Sequence, residues 1–354
     1  MRRVTKLVAV AATAALALAA CGGSDSSTET TAGGGTSSGS ASQVKVGLAY
    51  DIGGRGYTSF NDSAAAGLDK AKTDLKLCDG CVKELAASAG EQEADKEQRL
   101  RALASTGFNP VIAVGFLYGD AMKKVAAEFP KTSFGIVDSV VEGASNVTGL
   151  TFAEDQGSFL VGAAAALKSK TGSIGFVGGC DIPLIHKFDD GFQAGAKAVK
   201  SDIKIRSTYI SQAPECGGFN DPAKGQETAK GMYDGGADVV FAAAGGSGTG
   251  VFQAAKAANT LAIGVDSDQY KSASPDLQPV IMTSMLKRVD VAVYDFIKSL
   301  ADGKPLTGVQ TFDLKKDGVG YATSGGKVDD IAKQLDGYKA DIISGKITLP
   351  KASS

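Results

Sequence analysis

Residues 238–268 read DVVFAAAGGSGTGVFQAAKAANTLAIGVDSD, and this segment indicates the fold class most directly. An apolar strand (238–242) is followed by a glycine-rich turn, an alanine-rich helix (249–258) and a second apolar strand (261–265). Two short apolar strands joined by a helix are typical of a parallel βαβ unit. The segment therefore predicts an α/β protein whose parallel sheets are covered by helices on both faces.

The same alternation extends in both directions along the chain. The apolar runs predict strands, and the longer amphipathic or alanine-rich runs predict helices. The predicted strands are 44–50, 111–114, 133–137, 147–152, 173–177, 204–209, 238–242, 261–265, 280–284 and 310–313. The predicted helices are 59–75, 91–105, 120–128, 156–169, 190–199, 222–233, 249–258, 289–301 and 328–344.

Length and charge restrict the possible functions. The chain has 354 residues, with 37 Lys and Arg against 39 Asp and Glu, and a formal net charge of −2. Nucleic-acid-binding domains usually carry a strong basic excess, so this balance argues against a nucleic-acid partner. The length is too great for one ordinary core and predicts about two domains.

The first 20 residues are typical of a bacterial lipoprotein signal peptide. Basic residues at positions 2, 3 and 6 precede an apolar stretch (7–20) that ends in Leu-Ala-Ala before Cys21. This ending matches the lipobox, in which the cysteine thiol is diacylated and the chain is cleaved before it. The alternative is a plain signal peptide followed by a chance cysteine. A membrane-spanning anchor is excluded because the apolar stretch is too short.

Residues 22–42 contain only Ser, Gly, Thr, Ala, Asp and Glu. Such a composition offers nothing to bury and predicts a flexible linker. With a lipid on Cys21, the linker would hold the body at the extracytoplasmic face of the cell membrane, attached through the lipid alone.

Acidic residues and glycines follow several predicted strands directly. In open α/β sheets, ligands bind beyond the carboxyl ends of the strands, so these residues are candidates for a binding cleft. The alternative is that they are ordinary turn residues. The set comprises Asp51, Gly115, Phe116, Asp138, residues 178–181, residues 245–250, Asp266 and Asp268.

The sequence offers no motif of the common enzyme classes in its expected structural context. The pattern Gly-x-Ser-x-Gly occurs at residues 35–39, but it lies in the polar segment and not between a predicted strand and a helix, so it is not a nucleophile elbow, and there is no phosphate-binding P-loop. Residues 246–250 (GSGTG) lack the third glycine of the dinucleotide fingerprint, because Val251 occupies that place. The single histidine, His186, has no evident nucleophile to serve. We therefore expect no catalysis, no cofactor and no metal site.

The cysteines other than Cys21 are even in number, which in an exported protein predicts disulfides. Cys78 and Cys81 have the spacing of a redox motif or a zinc half-site, but their polar turn favours a local structural bridge. Cys180 and Cys216 follow neighbouring predicted strands, which would bring them together. We predict Cys78–Cys81 and Cys180–Cys216 bridges.

The chain resembles the basic membrane protein (BMP) family of substrate-binding lipoproteins, which includes purine nucleoside receptors of ABC importers. The resemblance covers about residues 43–349. It is carried by DIGG (51–54), SFN (59–61), GLTF (149–152), QGSFLVG (156–162), GFVGG (175–179), GFQAG (191–195), FNDP (219–222), GADVVF (236–241), AGGSGTGVF (244–252), GVDSDQ (264–269) and TSMLK (283–287).

The resemblance implies a type I periplasmic-binding-protein fold, in which two Rossmann-like lobes with parallel sheets are joined by a three-segment hinge. From the family's three crossings we expect an N-lobe of residues 43–150 and 283–306. The C-lobe would comprise residues 151–282 and 307–349.

The resemblance also implies roles for individual residues. The ring of Phe60 would stack on a base, with Phe219 as the candidate for the second ring. Asn61 and Asp138 would bind the edge of the base. The ribose hydroxyls would meet Asp51, Gly245, Gly246, Asp266 and Lys287. Carboxylates and an aromatic sandwich suit a nucleoside, which offers hydroxyl donors and a π-face.

The function implied is that of a lipid-anchored receptor that binds a nucleoside, with a purine favoured, and delivers it to ABC permease and ATPase subunits. A sensor lipoprotein of the same fold is the alternative. A sugar or another small polar molecule is the alternative ligand.

Overall fold

The computed structural model describes residues 44–56, 59–88 and 90–349. The predicted signal peptide, Cys21 and the linker up to residue 42 lie outside the described residues. Their assignment therefore stays a prediction.

The first part of the described chain alternates strands with helices, as the apolar runs predict. Its elements are β1 (Val46–Ile52), α1 (Phe60–Asp74), β2 (Val82–Ala87), α2 (Glu93–Ser105), β3 (Val111–Ala113), α3 (Gly119–Glu128), β4 (Phe134–Val137), β5 (Val147–Phe152) and α4 (Glu154–Lys168).

The second part repeats this alternation and ends with two short strands and a helix. Its elements are β6 (Ser173–Asp181), α5 (Pro183–Val199), β7 (Lys204–Gln212), α6 (Pro222–Asp234), β8 (Val239–Ala243), α7 (Gly248–Ala258), β9 (Leu261–Asp266), α8 (Gln269–Ser272), β10 (Ile281–Lys287), α9 (Val289–Ala301), β11 (Val309–Phe312), β12 (Val319–Tyr321) and α10 (Ala332–Ile343).

The strands form two six-stranded sheets, and their orders are related. The first sheet has the order β11-β5-β4-β3-β1-β2 and the second has the order β12-β10-β9-β8-β6-β7. All pairs are parallel except β10 with β12. Each sheet thus contains the doubly wound order 2-1-3-4-5, in which ligands bind beyond the strand ends where the order reverses. The predicted α/β class with two parallel sheets is confirmed.

Helices cover both faces of the first sheet, which explains why its central strands are apolar without alternation. In β1, Leu48 packs in the same core cluster as Leu68 of α1. The next residue, Ala49, packs in the cluster that contains Leu103 of α2 and Met122 of α3. Neighbouring residues of one strand are therefore buried in opposite layers.

Helices α4 and α5, which pack against the second sheet, lie so close together that their backbones are in contact. A Cβ atom on Gly195 would lie 1.9 Å from the carbonyl oxygen of Phe159, and a Cβ on Gly162 would lie 2.0 Å from that of Phe192. Only glycine permits this approach, because any side chain would force the two helices apart.

Two strands were not predicted from the sequence, and both lie at sheet edges. The residues of β2 are half-buried or exposed, and Lys83 and Glu84 interrupt its apolar residues. The three residues of β12 pair antiparallel with β10. An edge strand is buried less completely than a central strand, so these two lack the continuous apolar run that is typical of the central strands.

Strand pairing places two segments in sheets other than those implied by the predicted lobe bounds. Residues 283–287 were assigned to the N-lobe, but they pair with β9 in the second sheet. Residues 309–312 were assigned to the C-lobe, but they pair with β5 in the first sheet. The chain therefore crosses after Lys287 rather than near Met282, and after Phe312 rather than near Leu306. The rest of the predicted lobe division stays a prediction.

Within the described residues, we find no helix with the length and hydropathy needed to cross a bilayer.

We predict that Gly195→Ala lowers the free energy of unfolding by at least about 2 kcal/mol, because the new methyl group overlaps the Phe159 carbonyl. The matched control is Gly231→Ala, on the exposed face of α6, where a Cβ would meet no atom within 4 Å. That change should raise stability by about 0.5–1 kcal/mol, because alanine is the better helix former. Urea unfolding of both variants measures the difference. Equal effects of the two substitutions would contradict the close helix contact.

Candidate functional site

A pocket lies between the two sheets, beyond the carboxyl ends of their strands. Residues at the end of β1 and after β3 and β4 line it from the first sheet. Residues after β7 and β8 and at the ends of β9 and β10 line it from the second. The nine residues predicted to bind ligand all line this pocket: Asp51, Phe60, Asn61, Asp138, Phe219, Gly245, Gly246, Asp266 and Lys287. Their roles toward a ligand stay predictions.

Lys287 is buried between two aspartates that come from different sheets. Its Nζ donates to Asp138 Oδ2 at 2.6 Å and lies 3.8 Å from Asp266 Oδ1. The side chains of Lys287 and Asp138 are 3% and 5% exposed. Burial alone lowers the pKa of Lys287, but the negative charges of Asp138, Asp266 and Glu154 outweigh burial and raise the pKa. Lys287 is therefore a charged, paired lysine.

Asp138 and Asp266 directly follow β4 and end β9, and both have a left-handed backbone with φ of 65° and 64°. Aspartate tolerates this conformation better than most residues. Asp266 also accepts a hydrogen bond from the hydroxyl of Ser59 at 3.2 Å, a contact from the start of α1 to the second sheet. Burial raises the pKa of Asp266, and the charge of Lys287 opposes that shift.

Aromatic rings form the apolar part of the pocket. The Nζ of Lys287 lies 4.8 Å from the ring centroid of Phe60 and 5.4 Å from that of Phe188. On the other wall, Phe219 packs edge-on against Phe116, with 6.3 Å between ring centroids. A flat ring with polar edges fits a space lined in this way.

Among the residues that the structure describes, two buried oxygens in the pocket wall have no hydrogen-bond partner. They are Oδ1 of Asn61 and Oδ1 of Asp138. The amide nitrogen of Asn61 donates to the carbonyl oxygens of Asp51 and Ile52 at 3.2 Å, which leaves its oxygen free. An unpartnered buried acceptor is unfavourable, so both atoms are places where a ligand N–H or O–H would be stabilised.

The carboxylate of Asp51 lies at the end of β1. Burial raises the pKa of Asp51 to about 6, although a hydrogen bond from the backbone N–H of Ile52 at 2.7 Å opposes the shift. Asp51 is therefore largely ionised at neutral pH and becomes neutral in mildly acidic conditions.

Gly245 and Gly246 form the turn between β8 and α7. Gly245 has a φ of 54°, and a Cβ there would lie 3.1 Å from the carbonyl oxygen of Phe219. The glycine thus allows two pocket loops to touch, and the helix start places backbone N–H groups near the cavity.

The structure groups Asp138 differently from the roles implied by the resemblance. Those roles put Asp138 with Asn61 at the base edge and Lys287 at the sugar. The direct contact with Lys287 shows that Asp138 lies between the two predicted groups, with one oxygen on Lys287 and the other unpartnered.

The sequence analysis did not identify Glu154, which is 1% exposed and whose charge acts on Lys287. Burial raises the pKa of Glu154 to about 7, against the opposing charge of Lys287. Its Oε2 is 3.5 Å from Nζ of Lys187. Glu154 comes two residues after β5, so the rule that located Asp51 and Asp138 would have found it if applied to that strand.

The two disulfides of the described residues join Cys78 to Cys81 and Cys180 to Cys216. Cys216 lines the pocket, whereas the carbonyl of Cys81 accepts a hydrogen bond from Val46 at the start of β1. The first bridge therefore lies at the amino ends of the strands, opposite the pocket. The single histidine also has a partner, since Nε2 of His186 lies 2.6 Å from Oδ1 of Asp181.

Comparison with known proteins gives one family and consistent relatives. Residues 44–353 match the model of the Bmp family, described as "ABC transporter substrate-binding protein PnrA-like". The chain is similar to the ABC transporter nucleoside-binding protein BmpA of Lactococcus lactis, with 37% identity over 88% of this chain and 92% of that one. It is also similar to an uncharacterized lipoprotein of Pyrococcus abyssi, with 35% identity over 79% of this chain and 69% of that one.

Among solved structures, an ABC transporter solute-binding protein from Aeropyrum pernix has a TM-score of 0.74 and 28% identity. The match covers 88% of this chain and 94% of that chain.

We predict that Lys287→Met lowers the free energy of unfolding by about 3–5 kcal/mol, because it leaves Asp138 and Asp266 buried without their counter-charge. The control is Lys230→Met, which breaks an exposed pair with Asp234 on α6 and should leave the unfolding midpoint close to that of the wild type. Urea unfolding at neutral pH measures both. A Lys287→Met protein as stable as the control would show that the buried pair is not required for folding.

Proposed function

Because the chain belongs to the Bmp family of PnrA-like ABC transporter substrate-binding proteins, we propose that it is the receptor of a nucleoside importer. It would bind a nucleoside between its two sheets and deliver it unaltered to ABC permease and ATPase subunits. The observation that carries the proposal is the buried Asp138–Lys287–Asp266 cluster beside the ring of Phe60. The name of the Lactococcus relative supports the same ligand class.

The pocket offers the two kinds of contact that a nucleoside needs. Phe60 and Phe219 supply faces for a base, and a purine offers the larger π-surface of the two base types. Asp51, Asp266 and the free oxygens of Asn61 and Asp138 accept hydrogen bonds, which suits ribose hydroxyls and base N–H groups. We therefore favour a purine nucleoside as the ligand.

The charges of the pocket disfavour a nucleotide. Three aspartates line it, Asp51, Asp138 and Asp266, and the ammonium of Lys287 is already paired with two of them. A phosphate brought into this space would meet an excess of negative charge at short range. The ligand we propose is accordingly the uncharged nucleoside.

Residues from both sheets surround the ligand in this proposal, so a form in which the lobes are closed gains contacts that an open form lacks. Ligand would therefore increase the population of the closed form. The permease would recognise that form.

We further propose that Cys21 carries the lipid that holds the receptor at the extracytoplasmic face of the cell membrane. The lipobox before Cys21 and the polar linker after it support this assignment. The Pyrococcus relative is named a lipoprotein, which agrees with it.

We predict that isothermal titration against adenosine, guanosine, inosine, cytidine and uridine detects binding, strongest for a purine. Phe60→Ala should weaken the binding by about 1–3 kcal/mol, the usual range for a lost base–aromatic stack. Asp266→Asn should weaken it by a similar amount, because a carboxylate is the stronger acceptor for a hydroxyl.

Three controls accompany these titrations. Asp276→Asn changes an exposed carboxylate outside the pocket and should bind as the wild type does. D-ribose has no base, so its affinity for Phe60→Ala should equal its affinity for the wild type. A nucleoside 5′-monophosphate should bind less tightly than its nucleoside. If the wild type binds none of the five nucleosides, the proposal fails, and a sugar or another small polar molecule becomes the ligand to test.

We predict that Cys21→Ser transfers the protein from the membrane fraction to the soluble fraction, because serine cannot accept the lipid through a thioether. Detergent partitioning of cell extracts measures the change, with Cys78→Ser/Cys81→Ser as the control that leaves Cys21 intact. A Cys21→Ser protein that stays with the membranes would rule out this anchor.

A further inference from the structure

The segment between β7 and α6 forms one wall of the pocket and has little regular structure of its own. Residues 217–220 make a short 3₁₀ turn, and Cys216, Gly217 and Phe219 all line the pocket. The backbone of Cys216 is left-handed, with φ of 43°. The position of Phe219 therefore depends on contacts from outside the segment.

The strongest of these contacts is covalent. The disulfide joins Cys216, three residues before Phe219, to Cys180 near the end of β6. Cys180 is completely buried and Cys216 is 5% exposed. A central strand of the second sheet is thus bonded directly to the pocket wall.

The ring of Phe219 lies against the residue that precedes Cys180. A Cβ atom on Gly179 would be 2.3 Å from a ring carbon of Phe219, so the ring packs directly on the backbone of β6. The hydroxyl of Ser211 donates to the carbonyl of Gly179 at 2.7 Å and accepts from the N–H of Gly218 at 3.0 Å. The ring, the disulfide and this hydrogen-bonded bridge all attach to the same two residues of β6.

A second hydroxyl holds the other side of the segment. Ser247 is completely buried and donates to the carbonyl of Gly218 at 2.7 Å. It also accepts from the N–H of Asp221 at 2.7 Å. These hydrogen bonds can break and re-form as the segment moves, whereas the disulfide cannot, so the disulfide sets the limit of its motion.

We propose that the Cys180–Cys216 disulfide is a positioning element for ligand binding, which holds Phe219 where its ring contacts the ligand. The proposal rests on the nucleoside-binding function proposed above. Without the bridge, the segment samples positions in which the ring is withdrawn, and only the fraction with the ring in place binds at full strength. If that fraction falls to about a tenth, the apparent affinity falls about tenfold.

The Cys78–Cys81 bridge is the matched control, because it lies at the amino ends of the strands, away from the pocket. Its removal changes stability without touching the pocket wall. We expect Cys180→Ala/Cys216→Ala to bind the tightest nucleoside of the panel about tenfold more weakly than the wild type. Cys78→Ala/Cys81→Ala should bind it as the wild type does. Both variants are titrated as full-length protein in detergent, at a temperature where circular dichroism shows them folded.

A general loss of structure is distinguished from a loss of positioning by repeating the pair of titrations with Phe219→Ala. If the disulfide acts through the ring, its removal in that background should change affinity by less than about twofold. A disulfide-free variant that binds as tightly as the wild type overturns the proposal. An affinity loss that persists undiminished in the Phe219→Ala background also overturns it, because the bridge would then act through another group.

Hydrogen exchange of the backbone amides at 215–220 tests, without any ligand, whether the disulfide restrains this segment. Exchange there should be faster in Cys180→Ala/Cys216→Ala than in the wild type, and unchanged in Cys78→Ala/Cys81→Ala. Unchanged exchange in the first variant overturns the positioning role. If the wild type binds no nucleoside but exchange is faster in Cys180→Ala/Cys216→Ala, the nucleoside-binding function is refuted. The restraint on Phe219 is then still supported. If the first variant does not fold, the folded Cys78→Ala/Cys81→Ala protein is reduced and its thiols are blocked, which opens the Cys180–Cys216 bridge. The reduced protein should then show the same tenfold loss of affinity and the same faster exchange relative to its unreduced form, and unchanged values would overturn the proposal.

Discussion

The salt bridge between Lys287 and Asp138 joins the two sheets at the floor of the pocket, and the arrangement of the site depends on it. Lys287 ends β10 in the second sheet, and Asp138 follows β4 in the first, so the bond connects the strand ends of both. Taking these charges out of water is costly, and such a pair adds little net stability compared with apolar residues. What it provides is a fixed geometry: the ammonium lies beside the Phe60 ring and holds two carboxylates at a set spacing.

The doubly wound order of each sheet explains why polar groups can gather in the pocket. The bodies of the central strands are covered by helices, so most side chains along them are apolar. Only where the strands end does the chain leave the core, and there Asp51, Asp138 and Asp266 enter a space shared by both sheets. A further contact, from Ser59 to Asp266, links the start of α1 to the second sheet. The pocket is therefore a product of topology as much as of its individual residues.

The two walls of the pocket are held in different ways. Phe60 lies at the first position of a regular helix, so its backbone is fixed by helix α1. Phe219 lies in an irregular segment, and its place depends on a disulfide, two serine hydroxyls and the absence of a side chain at Gly179. A wall that lacks its own secondary structure needs such outside restraints. This asymmetry is the basis of the role proposed for the Cys180–Cys216 bridge.

The amino-acid sequence by itself determined the α/β class and the positions of the central strands along the chain, because each depends on a local pattern. The same pattern indicated Asp51, Asp138, Gly245, Gly246 and Asp266 as residues that follow strands, whereas the other four pocket residues were implied by the resemblance to the family. An apolar run predicts a buried strand, and the residue after it marks the strand end, where parallel strands meet. The edge strands β2 and β12 were not predicted from the sequence, because they are short or half-buried and need no apolar run. Only the tertiary structure decided the sheets to which β10 and β11 belong, the burial of Glu154 and the pairing of Lys287 with Asp138. That pairing joins residues 149 positions apart, and it depends on how two separate sheets face each other, which no local pattern specifies.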